Sequence, residues 1–177
     1  NEKRHPDRVL ENRIYTINTD GTNVTELLGA ENIVFQLLAV SPSGKQLAYQ
    51  ESIINNLSVP VLKIFNLENP SAKSKVIDYD RNNNNVRFSK DEKQLYFTSS
   101  SNGGYVLCTV PLNTLKVETL SSFDQGITDY DFNNGILVFA KTEVKNPSEL
   151  YVSDLKLKEP KSDKETLILF SCFLQLR

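Results

Sequence analysis

The chain has no methionine and no tryptophan, a single histidine and two cysteines. Each scarcity excludes something. Without methionine the chain cannot start at its own initiator, so it is expected to be a processed protein or a fragment. The only histidine, His5, lies in a polar entry just before Pro6. A Ser-His-Asp triad needs an imidazole held between two partners, and an exposed terminal residue does not provide one. No Gly-x-Ser-x-Gly nucleophile elbow occurs either, so a self-contained serine hydrolase is excluded. One histidine with Cys108 and Cys172 gives no tetrahedral zinc spacing. Two cysteines make no disulfide framework; they read as small buried hydrophobes, with a single bridge left open.

The charge balance lacks any positive excess. The formal net charge is -2, which gives no reason to expect nucleic acid or an anionic membrane as partner. Mixed-sign runs such as Lys156-Leu157-Lys158-Glu159-Pro160-Lys161 read as solvated loop. A long apolar run is missing too. Leu167 to Leu176 (LILFSCFLQL) is far short of the ~20 residues that span a bilayer, so no membrane span is expected and a buried strand is the better reading. The N-terminus begins polar and shows no secretory leader. The compartment stays open, a periplasmic or secreted one being favoured over cytoplasmic.

What is present is a repeat. With 39% hydrophobic and 24% charged residues, 177 residues suffice for one globular core. The clearest unit is Val86 to Leu120. Val86 and Phe88 alternate with Arg87, and Leu95 and Phe97 with Gln94, Tyr96 and Thr98, which places each pair on one face of a strand. Lys90-Asp91-Glu92-Lys93 forms the turn between them. Ser99 to Gly104 reads as a polar loop, and Gly103-Gly104 is no phosphate cradle because no helix follows. Tyr105 to Val110 is nearly all apolar, as in a strand buried on both faces. Leu115, Val117 and Thr119 alternate as a fourth strand.

Related units flank it. Arg13 to Asn18 and Val24 to Leu28, joined by the Asp20-Gly21 hairpin signal, make half a unit. The next starts at Val34, turns at Ser41-Pro42-Ser43-Gly44-Lys45, crosses a polar loop from Glu51 to Ser58, and continues at Val59 to Leu67 and Lys75 to Tyr79. Arg81 to Asn85 reads as a connector. A last unit contains Ile127 to Phe132, an Asn134-Gly135 turn, Ile136 to Lys141, a break at Asn146-Pro147-Ser148, Leu150 to Leu155, a charged loop over 156–164, and a candidate strand at Thr166 to Phe170. The hairpin motif begins at Val40 and again at Phe88, 48 residues apart. Self-similarity at that period, four strands per unit and no helical stretch, is the pattern of propeller blades.

The expected fold class is therefore all-β: a β-propeller segment of about 3.5–4 four-stranded blades. Residues 1–12 form a polar entry, 13–170 the blades (13–29, 33–80, 84–121 and 126–170), and 171–177 the chain end. Propellers close with about four to eight blades, so the segment is read as part of a larger ring, with a compact four-bladed ring as the alternative.

Few residues invite a chemical reading. Asp129 and Asp131 alternate on a strand but are read as facing solvent or capping a turn. Asp78, Asp80 and Asn82 to Asn85 lack the spacing of a calcium loop. Tyr15, Tyr49, Tyr96, Tyr105 and Tyr151 are read as inter-blade packing, since basic interleaving for nucleic-acid stacking is missing. Asn23-Val24-Thr25 and Asn56-Leu57-Ser58 match the glycosylation triplet, a match that arises often by chance in an Asn-rich chain. No catalytic, cofactor-binding or metal-binding residue is expected, and no cofactor.

The motifs resemble a known group. Ser41-Pro42-Ser43-Gly44-Lys45-Gln46-Leu47-Ala48-Tyr49 resembles the FSPDGKxLAF hairpin of Tol-type and prolyl oligopeptidase-family propellers. Phe88 to Phe97 is a second copy, with Glu92 where glycine is usual. Thr19-Asp20-Gly21-Thr22-Asn23 resembles the hairpin that ends Tol-type blades. Asn146-Pro147-Ser148-Glu149-Leu150-Tyr151-Val152 resembles a stretch late in the propeller of the oligopeptidase-family serine hydrolases. The resemblance covers about residues 13–155 and departs after Leu155. It implies a non-catalytic propeller that gates peptide substrate over an α/β-hydrolase domain absent from this chain, which would be its partner. The alternative is a Tol-type propeller acting as a protein-binding scaffold.

An open arc exposes strand edges and blade faces. The isolated chain is accordingly predicted to self-associate, and a single monomeric peak in size-exclusion at high protein concentration would contradict this.

Overall fold

The computed structural model describes residues 11–122, 126–143, 146–157 and 161–162. They form fourteen strands: β1 Ile14–Thr16, β2 Thr25–Leu28, β3 Ile33–Val40, β4 Gln46–Ile53, β5 Val61–Asn66, β6 Lys75–Ile77, β7 Asn83–Phe88, β8 Gln94–Ser101, β9 Gly104–Pro111, β10 Glu118–Thr119, β11 Gly126–Asn133, β12 Ile136–Glu143, β13 Asn146–Asp154 and β14 Lys161–Ser162. No helix occurs among the described residues. The strands make one two-stranded sheet, β1-β2, and three four-stranded antiparallel meanders, β3-β4-β5-β6, β7-β8-β9-β10 and β11-β12-β13-β14. This is the all-β arrangement of a partial propeller.

The two hairpin copies fold alike because their serines do the same work. Ser41 N–H donates to Gln46 O at 2.8 Å, and Ser41 Oγ accepts from Gln46 N–H at 3.1 Å. In the second copy Ser89 N–H donates to Gln94 O at 2.9 Å, and Ser89 Oγ accepts from Gln94 N–H at 3.0 Å. The turn then needs a left-handed residue. Gly44 fills it at φ 72°, and Glu92 fills it at φ 56°. A side chain there clashes with its own backbone, at a cost of ~1–2 kcal/mol.

Three apolar layers lie between the four sheets. Ile14, Phe35, Leu47, Tyr49 and Phe65 form the first. The second holds Leu62, Ile64, Val86, Phe88, Leu95, Phe97, Val106 and Cys108, among others. The third holds Tyr96, Leu107, Ile127, Tyr130, Leu137 and Phe139. Period-two alternation divides β8 between layers, Leu95 and Phe97 to one side and Tyr96 to the other. In β9 likewise, Val106, Cys108 and Val110 face the second layer and Leu107 the third, so this strand is buried on both faces as expected.

Several expected boundaries are corrected. Asn83 to Asn85 belong to β7 and are not a connector. The register shifts between Asn84 and Arg87, Asn85 takes φ 51°, and Asn83 O accepts a buried hydrogen bond from Gln50 Nε2 of the neighbouring sheet at 3.1 Å. A bulge and inter-sheet polar bonding thus replace hydrophobic alternation as the reason for the strand. Ser99 to Ser101 extend β8 instead of opening a loop; only Asn102 and Gly103 turn, at φ 45° and 82°, the two positive values of a tight hairpin. Leu115 lies in a turn at φ 58°, leaving the fourth strand two residues long. β4 runs on to Ile53, past the expected start of the polar loop. Asn146-Pro147-Ser148 opens β13 instead of breaking the chain, proline being tolerated at a strand's first residues. β14 falls inside the expected charged loop. The polar entry through residue 10, the Thr166 to Phe170 strand and the chain end lie outside the described residues.

Phe97 is fully buried. Phe97→Ala should lose about 3–5 kcal/mol of unfolding free energy, read from urea denaturation, against less than about 0.5 kcal/mol for the exposed Ser71→Ala.

Candidate binding groove

The first strands of the three larger sheets share a direction and finish at one end of the arc. Each carries an irregularity in register: between Leu37 and Ala39 in β3, Asn84 and Arg87 in β7, and Ile127 and Asp129 in β11. Bulges bend a strand and re-aim its side chains. The ends of these strands and the turns after them enclose a groove of about 790 Å³. Val40, Phe88 and Phe132 contribute apolar wall, and Arg87, Lys90, Asp91 and Asp131 contribute two charges of each sign.

Arg87 is the organising polar side chain. Its Nη1 stands 3.7 Å from Asp131 Oδ1, and its Cζ lies 5.7 Å from the centre of the Tyr130 ring. The guanidinium is therefore held by a loose ion pair and a cation–π contact. Arg87 Nε is buried without a hydrogen-bond partner. Tyr130 is almost fully buried and donates from its hydroxyl to Asn85 O at 2.6 Å. Burial pushes its phenol well above the ordinary value, and Arg87 offsets this only partly, so Tyr130 stays a donor. Tyr96 donates to Gln94 Oε1 at 2.6 Å on the same wall.

A clasp ties the second and third sheets beside this groove. Ser43 donates through both its backbone N–H and its hydroxyl to the two oxygens of Glu92, the latter at 2.9 Å. Partial burial works against the Glu92 carboxylate, but the hydrogen bonds from Ser43, with Lys45 nearby, outweigh it and hold the pKa below the ordinary 4.5.

The residues weighed from sequence are not brought together into a catalytic constellation. Asp129 Oδ1 accepts from Tyr130 N–H at 2.8 Å, and Asp131 Oδ1 from Phe132 N–H at 2.9 Å. Asp131 also meets Arg87, which corrects its reading as a solvent-facing or turn-capping group. No cluster of three or more metal-binding side chains occurs among the described residues. Cys108 is a free buried thiol whose pKa burial raises, with Tyr79 Oη 3.8 Å from its sulfur. Tyr49 and Tyr96 pack between sheets as expected, but Tyr15 and Tyr105 are exposed, Tyr105 at the start of β9 beside the β8–β9 turn. His5 and Cys172 lie outside the described residues. Sequence reasoning passed over Arg87, which it read only as the polar partner of Val86 and Phe88. The one available signal was an arginine set between two core residues.

No protein-family profile matches the chain, and no curated protein matches it in sequence. Its fold is similar to solved propellers. The TolB of Acinetobacter baumannii is 21% identical, with 84% of this chain and 36% of that one covered at a TM-score of 0.61. The β-propeller domain of the trilobed protease from Pyrococcus furiosus is 16% identical, with 79% and 42% covered at 0.59. The acylaminoacyl peptidase of Pyrococcus horikoshii is 20% identical, with 93% and 24% covered at 0.63. The chain spans less than half the length of each. Oligogalacturonate lyase, a different chemistry, shares the fold as well. At these identities the likeness establishes the β-propeller fold alone.

The Glu92 carboxyl is depressed in the folded state, so its contribution is present above the ordinary value and is lost as pH falls through the folded one. Glu92→Gln should therefore melt below the wild type at neutral pH. The gap in Tm should close as the pH drops below about 4.5. A gap independent of pH would show that the charge does not serve the clasp.

Proposed function

We propose that the chain is the non-catalytic propeller of a serine peptidase of the prolyl oligopeptidase kind, gating peptide access to a hydrolase domain encoded outside these 177 residues. The observation that carries this reading is the stretch from Asn146 to Val152. It resembles the stretch late in oligopeptidase propellers, and it forms β13, the third strand of its sheet. A groove of about 790 Å³ with balanced charge and apolar walls suits a short peptide passing the end of the ring. Gating needs no catalytic group in this chain.

A second reading has its own observation. The Thr19 to Asn23 hairpin resembles those ending Tol-type blades. It is built with Gly21 at φ 84° and with Asp20 Oδ1 accepting from Thr22 N–H at 2.9 Å. This favours a scaffold that binds a protein and carries no enzyme.

The deciding experiment is to express the chain with and without its adjoining coding sequence and to assay hydrolysis of short peptides and of a folded protein. Under the peptidase reading only the longer protein cleaves, and it spares the folded substrate. Activity in the isolated chain, or a reading frame with no hydrolase, would overturn it. A stable protein partner in the latter case would support the scaffold.

A further inference from the structure

The meander topology gives the arc two distinct ends. Strands β3, β7 and β11 run toward the groove. The β4–β5 and β8–β9 connections therefore lie at the opposite end, as does the crossing from β6 to β7. There the β4–β5 connection differs from its counterpart in the next sheet. β8 and β9 are joined by Asn102 and Gly103 alone, whereas β4 and β5 are joined by residues 54–60.

This longer tip is chemically unusual. Ser52 to Leu62 contains no charged residue in a chain that is 24% charged. The Glu51–Lys63 ion pair bounds it at the base. Leu57 is 105% exposed and Ile53 53%. Val59 and Val61 are exposed as well. The tip is also ordered: Asn56 N–H donates to Ile53 O at 3.1 Å, and Ser58 N–H to Asn56 Oδ1 at 3.1 Å. At its base Ile54 N–H reaches Asn32 O at 2.9 Å. The loop holds Leu57 out in water when a two-residue turn would have joined the strands without it.

Exposing a leucine forgoes the free energy available on its burial. An uncharged apolar protrusion of this kind marks a contact surface. We infer that residues 54–60 form a knob that docks into an apolar, uncharged pocket of the companion hydrolase domain. The inference rests on the peptidase reading above. It commits to that occupant because β14, antiparallel to β13, carries the chain toward the end where the tip projects. A domain joined after this sheet meets that end and leaves the groove open at the other.

The test uses the full-length protein. Leu57→Cys and Ser71→Cys, the latter in the exposed β5–β6 turn, are labelled with a maleimide and resolved by peptide mapping. Position 57 should label at least about ten-fold more slowly than position 71. Hydroxyl-radical footprinting of Leu57 in the unaltered protein should show the same protection, which guards against a cysteine that weakens docking. Equal labelling and full radical attack, in a protein whose frame encodes a hydrolase, overturn the knob and leave the peptidase reading standing. A frame without a hydrolase overturns the reading and the knob together. A glycan on Asn56 overturns the knob alone.

Discussion

The β7–β10 sheet is apolar on both faces, and the rest of the structure depends on that. Leu95, Phe97 and Val106 must be covered on one side, and Tyr96 and Leu107 on the other. A single sheet cannot do this for itself, so neighbours are required on both sides. The β3–β6 and β11–β14 sheets supply them, and the first of these needs cover in turn from β1 and β2. Stacking by face also sets the first strands side by side with their ends aligned. The groove follows from that alignment.

Polar residues complete what the apolar layers begin. Gln50 reaches Asn83 across one boundary. Asn85 Nδ2 donates to Thr128 O at 3.2 Å across the next, and Tyr130 returns a bond to Asn85 O. These groups sit where the first strands are bulged and their backbone is not fully used by their own sheet. Glu92 shows how such a tie can outweigh local strain. Glycine would adopt the left-handed turn more easily, as Gly44 does, but it has no side chain to accept from Ser43 in the adjacent turn, as the Glu92 carboxylate does.

The two ends of the arc have opposite characters. The groove end mixes charges of both signs with aromatic wall. The other end presents an uncharged hairpin tip with a fully exposed leucine.

Strand alternation and the polar turns between strands made the meander legible in the linear chain, because both are local: a period of two and a short turn need no distant partner. The all-β class, the repeat and the two-faced burial of β9 followed from them. Asn83 to Asn85 could not be read as strand in the same way, since what makes them strand is a bulge and bonds to other sheets. Arg87 was equally hidden. Its role comes from Asp131 and Tyr130, more than forty residues away, which become neighbours only when two sheets stack. Packing alone distinguished Tyr96 from Tyr105, both of which occupy strands. Local pattern alone is enough to dictate four-stranded units that must stack. Which polar side chains line the groove, and which loop projects at the far end, depend instead on how one apolar face lies on the next.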